Sequence, residues 1–115
     1  RAWPPASFAL ESLAGGCSVR GLAAQLGLSE RRLITQFTTH VGLTPKLFAR
    51  ISRFQRVLAR ARADVDPDWS ELALETGYCD QSHLIRDFVG FSGFSPGALR
   101  RSRRAPVKEH HVAVL

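Results

Sequence analysis

The chain has 115 residues, 44% of them hydrophobic, and a formal net charge of +6. That allows one domain with a real core and excludes a disordered chain or two large domains. The basic balance suits a polyanionic partner, while the absence of a long apolar run or an opening secretory signal excludes a membrane partner and points to the cytoplasm.

In chain order, Phe8 to Ala14 read as an opening helix ended by Gly15-Gly16. Ser18 is a good N-cap for a second helix, and Gly27 is placed to end it in the left-handed conformation that glycine tolerates. Ser29 caps a third helix running to about Gly42, with Leu33 and Phe37 four apart on one face. Thr44-Pro45 then supplies an N-cap followed by proline at the first helical position, where its missing N–H costs nothing. A longer helix follows to about Arg62, with an apolar stripe of Leu47, Phe48, Ile51, Phe54, Val57, Leu58 and Ala61. Residues 64–67 break it. Asp68, in a capping-box pattern with Glu71, opens the next helix, which Gly77 ends. Asp80 caps a helix that carries Leu84 and Phe88 and ends near Gly93. Ser95-Pro96 starts a short helix to about Arg103, and residues 105–115 read as a flexible tail.

These elements repeat. Ser18, Leu22, Ala23 and Gly27 stand 50 residues before Asp68, Leu72, Ala73 and Gly77. Ser29, Leu33, Phe37, Gly42, Thr44 and Pro45 stand 51 before Asp80, Leu84, Phe88, Gly93, Ser95 and Pro96. The step from 50 to 51 puts one extra residue in the second turn, between Gly77 and Asp80, where an insertion is tolerated. The expected fold is all-α, seven helices in two helix-turn-helix subdomains joined by a long linker helix. Its segments are residues 1–45, the linker 46–63, the second subdomain with its closing helix 64–104, and the tail 105–115.

Charge is laid out in blocks. Residues 46–62 hold six basic side chains and no acidic one, residues 63–80 hold six acidic and no basic one, and residues 100–115 hold five basic and one acidic. The two cysteines, Cys17 and Cys79, have neither a Cys-x-x-Cys partner nor histidine at metal spacing, so two free thiols and no zinc or other cofactor are expected.

A repeated helix-turn-helix points to DNA because a helix fits the major groove, where each base pair shows its own pattern of donors, acceptors and methyls. At about 100° per residue, with Leu33 and Phe37 inward, the outer face of the third helix carries Arg31, Thr35, Thr38 and Thr39, with Arg32 at its border. The same construction exposes Ser82, His83 and Arg86 in the second copy, flanked by Ile85 and Val89, and puts Gln81 near the buried edge. Ile34 and Ile85 occupy matching flanks, suited either to thymine methyls or to packing on a neighbouring helix. The linker spans roughly 17 residues, about 25 Å. With helix diameters added, that suits two reading helices about one DNA turn of about 34 Å apart. Candidate phosphate contacts are Arg32, Thr38, Lys46, Arg50, Arg53, Arg100 and Arg101, with Arg56, Arg60 and Arg62 also on the linker.

The stretches LAAQLGLSERRLITQF with GLTP, and LALETGYCDQSHLIRDF with GFSPGALR, resemble the AraC/XylS family of transcription regulators over about residues 18–100. The second is the more specific. Val57 departs from the alanine usual in the family linker, and Leu99 stands where an aromatic is commoner. The resemblance implies a homeodomain-like fold of seven helices that reads two successive major-groove segments. It assigns base reading to Arg31, Ile34 and Thr35, then to Gln81, Ser82, His83, Ile85 and Arg86; Gln81 rests on the resemblance alone. It also implies a sensing or effector domain elsewhere in the protein, and a chain that opens on Arg1 and contains no Met reads as a fragment. The acidic block has two readings: a surface facing away from DNA toward RNA polymerase, or carboxylates paired with linker arginines. An enzyme is not expected, since Cys17 stands alone and the histidines, His110-His111 included, form no catalytic arrangement. The rival to a sequence-specific regulator is a sequence-independent DNA-binding or architectural protein.

Overall fold

The computed structural model describes residues 6–64 and 66–98. Among them are six helices and no strand: α1 (Ala6–Ala14), α2 (Val19–Leu26), α3 (Glu30–Val41), α4 (Pro45–Ala63), α5 (Trp69–Thr76) and α6 (Gln81–Ser92). Residues 96–98 begin a seventh, and the remainder of the expected closing helix and the tail lie outside the described residues.

Side chains set the helix starts. Ser18 accepts the Gly21 N–H, Ser29 the Arg32 N–H, Thr44 the Leu47 N–H and Ser95 the Ala98 N–H. Asp68 accepts from Ser70 and Glu71, and Asp80 from His83. Each bond satisfies a donor that the first helical turn leaves without a partner.

The two turns close alike. Gly27 and Gly77 have φ of 67° and 98°, a region that side-chain-bearing residues avoid. The next N–H then reaches back into the helix, Leu28 to Ala23 O at 2.9 Å and Tyr78 to Ala73 O at 2.8 Å. Leu28 and Tyr78 are therefore structural equivalents, and the extra residue of the second turn is Cys79.

The chain divides into two compact units, one up to Arg53 and the other from Phe54, so the boundary falls within α4. The first unit buries Ala9, Leu13, Leu22, Ala23, Leu33 and Phe37, with Phe48 of α4 packed against them. The Phe37 and Phe48 ring centroids are 5.8 Å apart. The second buries Phe54, Val57, Leu72, Ala73, Tyr78, Leu84 and Phe88, with Leu58, Trp69, Ile85 and Phe91 packed around them. There Phe88 meets both Phe54 and Trp69 edge to face, a favoured aromatic geometry. Each core clamps the second helix of its turn by the two apolar residues that the sequence places four apart.

Candidate nucleic-acid interface

In the first unit, burial of Leu33 and Phe37 turns the other side of α3 outward. Arg31, Arg32, Ile34, Thr35 and Thr39 are all exposed. Ile34 is 42% exposed, so of its two expected roles the surface one fits. The Thr35 hydroxyl donates to Arg31 O at 3.1 Å, and Thr39 to Thr35 O at 2.8 Å. With its hydrogen spent on the helix, the Thr35 oxygen offers lone pairs outward. Thr38 departs from expectation. It is half-buried, its Oγ1 is buried, and that oxygen has no hydrogen-bond partner among the described residues. One residue after the buried Phe37, Thr38 sits at the border of the packed face, and its hydroxyl as placed does not face solvent.

The linker arginines divide by position. Lys46 is exposed, while Arg50 and Arg53 are half-buried. Arg56 donates to Thr76 O at 3.0 Å, placing a cation on the C-terminal carbonyls of α5 where the helix dipole favours it. Arg60 forms an ion pair with Glu75. Arg56 and Arg60 are thus committed to the second unit rather than free for phosphate.

That pairing also bears on the acidic block. Glu75 is taken by Arg60, Asp68 and Asp80 are helix caps, and Asp64 accepts the Asp66 N–H. Most of these carboxylates therefore have local structural partners, and one of them has the linker arginine that the second reading required. Glu71 is exposed along a groove of about 180 Å³ that Arg60, Leu72 and Glu75 also line.

In the second unit, α6 buries Leu84, Asp87 and Phe88. Ser82 and Arg86 are exposed, Val89 is 44% exposed, and His83 is half-buried. Ile85 is half-buried against the core, so here the packing role fits, unlike Ile34 in the matching position. Gln81 is exposed rather than at the buried edge, and its Oε1 accepts the Ser70 hydroxyl at 2.8 Å. As the first residue of the helix it lies ahead of the point where the core closes over α6. His83 Nδ1 accepts the Cys79 N–H at 3.4 Å, and its ring meets Tyr78 edge to face at 4.9 Å. Arg100 and Arg101 lie outside the described residues.

Periodicity alone flags Asp87: it sits three residues after Leu84 on the inward face and needs a polar partner there. The Tyr78 hydroxyl donates to its Oδ2 at 3.1 Å, tying the turn to α6. Ser70 and Cys79 carry no such signal, because their contacts with Gln81 and His83 arise only when the turn is folded. Both cysteines are free thiols. No group of three or more potential metal ligands occurs among the described residues, and no helix there is long and apolar enough to cross a membrane.

No curated protein and no solved structure matches the chain. The sequence does match the family described as a helix-turn-helix domain over residues 22–102, which takes in both turns and the helices α3 to α6. Together with the all-helical fold of the described residues and their two capped helix-turn-helix units, this match shows that the chain belongs to the AraC/XylS family of transcription regulators, as a DNA-binding domain.

Proposed function

We propose that this domain reads specific double-stranded DNA sequences, with α3 and α6 each entering the major groove at adjacent segments. The observation that carries the reading is the shared design of the two helices. Each is clamped on one side by a leucine and a phenylalanine and exposes arginine and hydroxyl groups on the other. In α3 these are Arg31 and Thr35, and in α6 they are Ser82 and Arg86. Arginine bonds both guanine acceptors, and hydroxyls bond several base edges. Ile34 adds an apolar contact for a thymine methyl, and Gln81 and His83 complete the α6 edge. Arg32 and Lys46 hold phosphate, with Arg50 and Arg53 contributing through their outer atoms. A sensing module outside these residues and RNA polymerase are the protein partners that a regulator of this kind implies.

Selection of bound duplexes from random sequence tests the reading. Two short preferred boxes about one helical turn apart are expected. Arg31→Ala and Arg86→Ala each relax preference at one base position, at a cost of about 1–3 kcal/mol. Comparable affinity for all duplexes at physiological salt would instead identify a sequence-independent binder, since a specific regulator discriminates by about 10³ or more.

A further inference from the structure

Two side chains in the first turn of α6 each have an acceptor atom engaged by a neighbouring residue of the same unit. Gln81 Oε1 accepts the Ser70 hydroxyl at 2.8 Å, which leaves its amide NH2 as the outward group. His83 Nδ1 accepts the Cys79 N–H at 3.4 Å. A ring nitrogen that accepts carries no proton, so the neutral imidazole holds its hydrogen on Nε2 and presents a donor. The edge-to-face contact with Tyr78 limits rotation of that ring. Arg86, exposed further along the same helix, has donors only. The acceptors near this end are the Ser82 hydroxyl, the lone pairs that Ser70 Oγ keeps after donating to Gln81, and the Asp80 carboxylate, whose Oδ1 already takes the His83 N–H.

Resting on the reading that α6 enters the major groove, we infer that its first turns form a donor-biased edge selecting acceptor-bearing base edges, guanine O6 and N7 above all. Ser70 is the positioning residue. It lies on α5, outside the reading helix, and acts through Gln81. Glutamine recognises adenine by giving a hydrogen to N7 and taking one from N6, which requires its oxygen. With that oxygen turned toward Ser70 and the NH2 turned away from it, the two-point match to adenine N7 and N6 is lost, so adenine loses its advantage and guanine gains. Cys79, the residue by which the second turn exceeds the first, plays the same part for His83. The first copy has Arg20, Glu30 and Arg32 at the positions of Ser70, Gln81 and His83, so its chemistry there is different.

Bound-site selection with the wild-type chain and with Ser70→Ala, Ser70→Thr and Gln81→Ala tests this. The wild type is expected to favour guanine over adenine by about fivefold or more at one position within the α6 box. Gln81→Ala should erase that preference. Ser70→Ala should lower it by about the same factor, leaving the other positions unchanged, and Ser70→Thr, which keeps the hydroxyl, should restore it. A guanine preference that Ser70→Ala does not move, or a uniform weakening at every position, overturns the inference while leaving the sequence-reading function intact. Absence of any base preference overturns both. Nitrogen-15 shifts of the His83 ring give a second arm: a proton found on Nδ1 rather than Nε2 overturns the donor assignment.

Discussion

At the scale of single residues, a side chain's position on a helical wheel and the position of its reactive atom are different things. Thr38 shows the difference. A wheel drawn through Leu33 and Phe37 places it outward, yet its Oγ1 is buried with no hydrogen-bond partner among the described residues. A buried hydroxyl in that state costs about 1–3 kcal/mol of desolvation. Thr38→Val keeps the shape and removes the polar atom. We expect it to raise the thermal midpoint, by the equivalent of about 1 kcal/mol, and to leave DNA affinity unchanged. A fall in affinity, with a smaller salt dependence, would show instead that the hydroxyl reaches phosphate.

At the scale of elements, α6 contains an avoidable weakness. Gly90 lies inside it, is exposed, and would meet nothing within 4 Å if given a Cβ. Its backbone is not among those with positive φ, so no turn geometry requires glycine here. Gly90→Ala is expected to stabilise the unit by about 0.5–1 kcal/mol, as judged by chemical denaturation. Gly21 in α2 contrasts with it. A Cβ there would come within 3.1 Å of the Ser18 Oγ that caps the same helix, so the same substitution presses on the cap. The ion pair between Arg60 and Glu75 joins α4 to α5, but with the two side chains 58% and 42% exposed it contributes only about 0–1 kcal/mol. Its larger consequence is electrostatic, because the Glu75 carboxylate beside Arg60 offsets the charge that this arginine presents.

At the scale of the whole molecule, the count of 16 basic side chains overstates how many face a phosphate backbone. Arg56 and Arg60 are spent on α5, whereas Lys46 is exposed. Lys46→Ala should weaken binding to all duplexes alike and reduce the slope of log affinity against log salt by about 1. Arg60→Ala should change that slope much less. Equal slopes for the two variants would mean that the linker contributes charge without regard to position.

What could be read from the sequence was whatever depends on local chemistry or on a repeat. The caps at Ser18, Ser29, Asp68 and Asp80 are bonds between a side chain and a backbone three residues or fewer away. The glycine turns depend on one residue's freedom, and the apolar pairs follow from helical period alone. The same logic, with the family resemblance, named the candidate reading residues and located the extra turn residue to within two positions. Tertiary structure decided the rest, because it concerns contacts between elements. It assigned the insertion to Cys79 through the bond from Tyr78 to Ala73, and it separated Ile34 on the surface from Ile85 packed against the core. It also drew Arg56 and Arg60 into the second unit and turned Gln81 and His83 toward Ser70 and Cys79. A repeat in sequence predicts equivalent positions, but equivalent positions acquire different neighbours once each unit packs its own core. The two helix-turn-helix units are therefore alike in backbone and unlike in the atoms they offer to DNA.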